Sequence, residues 1–201
     1  MTVAWLWLRA HRWPVLLGTC AGVAAVAATV GGEHVPVPSF GDVRRLDVPL
    51  TQLLPLVLAG AVGLHSRTPT TLFLVAPRRA GPLRAALVGC LVGTASLTSL
   101  VFAQPVTALR NTLGLVGLAL VTAVVAGATR SWTLPLVHLV ACLLFGTRLS
   151  ATAQGGRGEW WWAFPLADAD DRSAFALAVA CCAVGVVAFV ARGPRPEIVA
   201  D

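Results

Sequence analysis

"SAFALAVACCAVGVVAFVA", residues 173–191, runs nineteen positions without a charged side chain. In a helix of 1.5 Å rise, about 18 residues span roughly 27 Å, near the ~30 Å hydrocarbon core of a bilayer. Lipid offers no water to backbone N–H and C=O groups, so a spanning segment this apolar has to be helical. Five further apolar runs, bounded by charge, proline or glycine, cover residues 13–31, 49–65, 83–103, 112–129 and 132–147. The reading is an all-α integral membrane protein, a single transmembrane domain over 1–201 with six transmembrane helices.

Composition agrees. The chain is 57% hydrophobic and 12% charged, whereas soluble domains carry about 25% charge and 45–50% apolar residues. Too little polar surface exists to coat a globule in water. The net charge of +6 does not indicate nucleic acid, because the arginines are scattered between apolar runs and form no face.

The same arginines orient the spans. With the N-terminus inside, the inner segments hold Arg9, Arg12, Arg67, Arg78, Arg79, Arg84, Arg130, Arg192 and Arg195. The longer outer segments hold Arg44, Arg45, Arg110, Arg148, Arg157 and Arg172, with seven of the nine acidic residues. An excess of cytoplasmic Lys and Arg is the usual sign of orientation, so both termini are expected in the cytoplasm. Residues 1–12 read as an interfacial segment: Trp5, Trp7 and Trp13 rest among headgroups while Arg9 and Arg12 reach phosphates. A cleaved signal peptide, or a lipoprotein site at "LLGTC" ending in Cys20, is disfavoured because threonine precedes that cysteine.

Absences exclude several chemistries. The five cysteines all lie in predicted spans, with no CxxC spacing, and read as buried small hydrophobes. "GTCAG" at 18–22 and "GCLVG" at 89–93 have the GxxxG spacing of close helix packing. No lysine occurs, so no Walker-type phosphate loop exists in this chain. No predicted span holds Asp, Glu or a central Arg, groups that ion-coupled carriers bury on their pathways. Energy for any uphill movement would have to come from another chain.

The segment 66–84 forms a cytoplasmic loop. Its stretch "TTLFLVAPRRAGPLRAALVG", residues 70–89, reads as a short apolar segment, a break at Pro77, and basic residues before the next span. It resembles the first cytoplasmic loop of type-two ABC exporter permeases, the membrane-spanning subunits of ABC transporters. "LHSRTPT", residues 64–70, stands where members commonly carry acidic residues, which marks a divergent bacterial branch. The resemblance implies a coupling-type helix docked on a separate P-loop ATPase through Leu72, Phe73, Leu74, Pro77, Arg78, Arg79 and Arg84. It also implies a second permease chain, identical or related. No cofactor is expected here: ATP and Mg would sit on the partner ATPase. The second and fifth spans line the path in that family, which singles out Gln52 and His138.

The outer segment 148–172 contains "GGRGEWWWAFPLADADDRS", residues 155–173. Trp160, Trp161, Trp162 and Phe164 read as interfacial anchors in the outer leaflet. By analogy with the short re-entrant helices of the family, they form an outer gate. Asp168, Asp170 and Asp171 would attract cationic groups, although three acids without histidines are a weak metal signal. Residues 192–201 form a cytoplasmic tail.

The expected function is therefore that of a multi-pass exporter permease in a bacterial plasma membrane, moving a hydrophobic or amphipathic substrate and not itself an enzyme. The expected partners are the ATPase, a second permease chain and membrane lipid. A non-transporting scaffold or accessory subunit is the alternative. An intramembrane enzyme would need a nucleophile–base pair or metal set that the sequence does not display.

Overall fold

The computed structural model describes residues 13–40, 45–67, 80–149 and 157–195. Its helices are α1 (Trp13–Val30), α2 (Leu50–Leu53), α3 (Pro55–His65), α4 (Ala80–Ser99), α5 (Pro105–Ala126), α6 (Thr133–Phe145) and α7 (Arg172–Arg192). A 3-10 turn over Ala128–Arg130 leads into α6. The chain is mostly helical, and five helical stretches are long and apolar enough to cross a membrane: Trp13–Val30, Gly81–Ser99, Pro105–Ala126, Ala128–Phe145 and Arg172–Arg192.

The sixth expected span differs. Leu50–His65 is apolar but short, about 24 Å at 1.5 Å per residue. It is broken at Leu54 because Pro55 supplies no N–H and takes the first position of a new helix. The helix expected over 112–129 starts earlier. Gln104 is its N-cap and Pro105 lies in its first turn, so Arg110 falls within the helix and not in the loop before it.

The segments expected on the outer side also carry strand, which an all-helical reading omits. Strands β1 (His34–Pro38) and β2 (Arg45–Pro49) pair antiparallel, as do β3 (Thr147–Leu149) and β4 (Arg157–Glu159).

Successive long helices alternate in direction, which leaves α5 and α7, separated by α6 in sequence, side by side and parallel. Arg110 of α5 meets residues 167 and 168, just before α7, at one end. The Arg195 N–H donates to Ala123 O of α5 at the other. Helix α5 is the centre of the bundle, buried along most of its length, with α3, α4, α6 and α7 around it.

The contact between α5 and α7 requires glycine. A Cβ at Gly117 would strike the Cys181 carbonyl and the Cys182 nitrogen, and one at Gly185 would strike the Gly117 carbonyl. Ala174 and Ala178 keep the same α7 face small, which lets the backbones approach. The two expected GxxxG pairs do something else: Gly18, Gly22, Gly89 and Gly93 have no atom within 4 Å of a Cβ position. Gly18, Gly22 and Gly89 are exposed and Gly93 half-buried, so none of the four serves a close helix contact within the bundle. All five cysteines are free thiols; Cys90 is exposed and Cys181 half-buried, the others buried.

Candidate functional site

Two ends of the bundle differ in chemistry. One end collects the N-termini of α2, α5 and α7 with both hairpins. The other collects the C-termini of α3, α5 and α7 with the start of α4.

At the first end, residues 160–171 fold into a cap. The Trp160 N–H donates to Gly146 O, and turns follow in which Ala163 donates to Trp160 O and Leu166 to Ala163 O. Helix α7 then opens on Asp171, whose carboxylate accepts from the Ser173 N–H (2.8 Å), the Ala174 N–H (3.1 Å) and the Ser173 hydroxyl (2.6 Å). These bonds, led by the Ser173 hydroxyl, hold the Asp171 carboxyl below its ordinary range. Side-chain N-capping of this kind satisfies orphan amides of the first turn.

A buried arginine and its neighbour fasten the cap to α5. Arg110, 1% exposed, donates through Nη2 to Ala167 O (2.6 Å), through Nη1 to Asp168 O (2.7 Å) and through Nε to Asn111 Oδ1 (3.2 Å). Asn111 Nδ2 donates to Pro165 O at 3.0 Å. Guanidinium has a planar fork of donors and no acceptor, so two successive carbonyls suit it. Sequence reasoning placed Arg110 in the outer loop because a charge usually ends an apolar run. The signal that locates it is Pro105, a first-turn proline five residues upstream.

Phe164 is the plug of the cap. Its ring lies against Gly114 of α5, where any Cβ would overlap it, and stacks on His138 of α6 with centroids 5.0 Å apart. His138 also meets the edge of Trp162 at 6.4 Å and lies 3.5 Å from Cys142 Sγ through Nε2. Trp162 packs with Leu46, Val48, Cys142, Ala163 and Leu166. Of the four residues expected as an outer gate, Trp162 and Phe164 thus face inward, whereas Trp160 and Trp161 are 43% and 73% exposed. The segment dips into the bundle as a re-entrant element would, but through turns and not a helix.

Gln52 lies half-buried in α2 and His138 half-buried in α6. Asp168 offers its carbonyl to Arg110, and Asp171 is committed to the α7 N-cap. A shallow cleft of about 370 Å³ opens beside them, lined by Val106, Asp170, Asp171, Arg172 and Phe175. Among the described residues no three His, Cys, Asp or Glu side chains gather as a metal site.

The second end is basic. Arg67, Arg84, Arg130, Arg192 and Arg195 lie there, and no acidic residue does among the described residues. Arg67 Nη2 donates to Thr129 Oγ1 (2.7 Å) and Arg195 Nη1 to Val125 O (3.1 Å). Arg84 rests on Gly193, whose φ of 74° and missing Cβ admit the guanidinium. Of the residues expected to contact an ATPase, Arg84 is therefore placed at this end. Leu72, Phe73, Leu74, Pro77, Arg78 and Arg79 lie outside the described residues, as does the interfacial segment 1–12.

Compared with known proteins, the chain matches no family model, no curated protein and no solved structure.

Proposed function

We propose that the chain is a multi-pass subunit of a bacterial plasma membrane, oriented with its arginine end in the cytoplasm. On this reading it serves as the membrane-spanning permease of an exporter driven by a separate P-loop ATPase. The observation that carries the orientation is the arginine count of the whole sequence, nine on the shorter inner segments against six on the longer outer ones. All six acidic residues among the described residues, Glu33, Asp47, Glu159, Asp168, Asp170 and Asp171, sit at the capped end. Among the described residues the opposite end holds five arginines and no acid, whereas the capped end mixes its acids with five arginines.

Support for the permease role comes from where the loop 66–84 leaves the bundle. Both of its described flanks, at Arg67 and Arg84, stand at the arginine end, where a cytoplasmic ATPase would meet it. Arginine keeps its charge and makes multidentate contacts, which suits an interface that transmits force. Helix α5 is closed in by α3, α4, α6 and α7, so a path for a hydrophobic or amphipathic substrate would run between two chains. ATP and Mg would belong to the ATPase.

That same closed core favours a second reading, a non-transporting scaffold or accessory subunit that holds other chains by its outward helix faces. A mild-detergent pull-down of the tagged chain from its native membrane separates the two. Under the permease reading a P-loop ATPase copurifies with the native chain and is lost with Arg78→Glu/Arg79→Glu. Recovery of no ATPase across several detergents removes the permease reading and leaves the scaffold.

A further inference from the structure

The arginines at the end opposite the cap are joined by their contacts into one arc. Arg67 donates to Thr129, the neighbour of Arg130. Arg195 donates from its backbone to Ala123 O and from its side chain to Val125 O, so it closes over the last turn of α5. Two residues before Arg195, Gly193 receives the Arg84 guanidinium, and Arg192 precedes Gly193. Arg84 is half-buried, on the face of α4 that carries Val88, Leu91 and Ala95 into the bundle. Gly193 thus brings an arginine of α4 against the end of α7, which itself finishes on Arg192.

The chain does not balance the charge of this arc. At the capped end, five arginines and six acids nearly cancel among the described residues, whereas here five arginines meet no acid. Over the whole sequence, the inner segments carry nine arginines against two acids, Glu197 and Asp201. Helix dipoles offset little of the excess. The C-termini of α3, α5 and α7 and the N-terminus of α4 meet here, and at about half a charge each they remove about one of the positive charges. Like charges beside a low-dielectric surface repel more strongly than in water, so the arc gathers anions.

The residues beside the arginines decide which anion fits. Leu64, Leu83, Val125 and Trp132 are 44%, 45%, 62% and 46% exposed. Leu64, Leu83 and Trp132 each lie within three residues of an arginine of the arc, and Val125 accepts from Arg195. Free phosphate would meet the guanidinium groups and leave this apolar rim bare. A ligand with an anionic head and acyl chains meets both.

We propose that Arg84, Arg192 and Arg195, gathered at Gly193, hold the headgroup phosphate of an anionic phospholipid at the seam between α4 and α7. The guanidinium fork matches phosphate oxygens and stays charged, and basic seams between membrane helices suit such headgroups. The bound lipid ties the start of α4 to the end of α7. Arg84 is thereby assigned to lipid, which leaves contact with an ATPase to the rest of the loop 66–84. The inference rests on the membrane reading of the chain and not on the exporter assignment, so an ATPase that fails to copurify leaves it standing.

Native mass spectrometry of the delipidated full chain in neutral detergent tests it by counting bound lipids one at a time. The probes are phosphatidylglycerol and phosphatidylcholine with identical acyl chains. The first phosphatidylglycerol should bind about tenfold more tightly, or better, than the first phosphatidylcholine. Each arginine near a lipid surface contributes about a factor of five, ~1 kcal/mol at 1.4 kcal/mol per decade. Arg84→Gln/Arg192→Gln should therefore weaken phosphatidylglycerol binding about twentyfold and leave phosphatidylcholine unchanged. Arg45→Gln/Arg148→Gln removes the same charge at the capped end and should leave the preference intact.

Equal affinity for the two lipids overturns the proposal. Equal losses in the two double variants also overturn it, since net charge alone would then set the preference. Full displacement of the lipid by millimolar inorganic phosphate assigns a free-anion site and overturns it too. So does a preference that emerges only in Glu197→Gln/Asp201→Asn, where the chain's own acids would be the native occupants. If Arg84→Gln/Arg192→Gln loses helix content, Arg192→Gln alone, at an exposed side chain, carries the comparison with an expected loss of about fivefold.

Discussion

Replacing Arg110 by leucine should free the cap without dissolving the bundle. The side chain is buried and donates to two backbone carbonyls of the cap and to Asn111. A hydrogen bond from a charged donor contributes about 1.5–3 kcal/mol. Ala167 is buried, so its carbonyl is left without a partner, whereas water can replace the guanidinium at exposed Asp168. Counting the first bond fully and discounting the second gives about 3 kcal/mol. The glycine contact between α5 and α7 is untouched, so the loss falls on local opening of residues 160–171.

Hydrogen exchange reads that opening directly. The Ala163, Leu166 and Asp171 amides are bonded only within the cap, to Trp160 O, Ala163 O and Asp168 O. Their exchange should accelerate on the order of a hundredfold, at 1.4 kcal/mol per decade. Arg110→Lys keeps one charged donor but not the fork, and should give an intermediate acceleration. If these three amides exchange no faster in Arg110→Leu than in the native chain, with helix content unchanged, Arg110 does not hold the cap.

Two further substitutions test the packing and the helix start. Gly117→Val places side-chain atoms on the Cys181 carbonyl and should cost about 1–3 kcal/mol or more. Gly93→Ala meets open space and should be neutral or stabilising by up to ~1 kcal/mol; thermal melts in detergent should move down for the first and stay level or rise for the second. Asp171→Ala should lose about 1 kcal/mol of N-cap stability at neutral pH. Because folding lowers the Asp171 pKa, its contribution is complete above the unfolded value of ~3.9 and is lost as pH falls through the lower folded value. The melting gap between native chain and variant should be constant from neutral pH to ~5 and close in stronger acid.

What the sequence made legible was whatever depends on local composition. The six apolar runs appear as helical stretches, five as single helices and the second in two pieces, because each is apolar along its length and bounded by breakers. The gathering of the described acids at one end follows from counting loops. Helix limits were less legible: Pro55 inside the second run divides it, and Pro105 carries the fourth helix back past Arg110. The role of the glycines was hidden altogether. Gly18 and Gly22 have the packing spacing and face outward, while Gly114 and Gly117 lack it and make the closest contacts. Spacing records which residues share a face, but which face meets a neighbour is set by the whole bundle.

Arg110 also changes what the missing acids mean. The apolar runs contain no Asp or Glu, and a buried arginine without an acid partner would ordinarily point to a pathway or be prohibitively costly. Here the charge is met by the carbonyls of Ala167 and Asp168, while the carboxylates of Asp168 and Asp171 stand close enough to favour it. Its position near the capped end of α5, beside exposed Asp168, keeps those groups within reach of water. The same arrangement needs no proton movement, and each of the three guanidinium nitrogens donates to an oxygen of the cap or of Asn111. Arg110 is thus a fastening for the cap and not a station on a route. If the chain does line a path, its polar groups lie elsewhere, at Gln52, at His138 beneath the Phe164 plug, or on the outward faces that a second chain would cover.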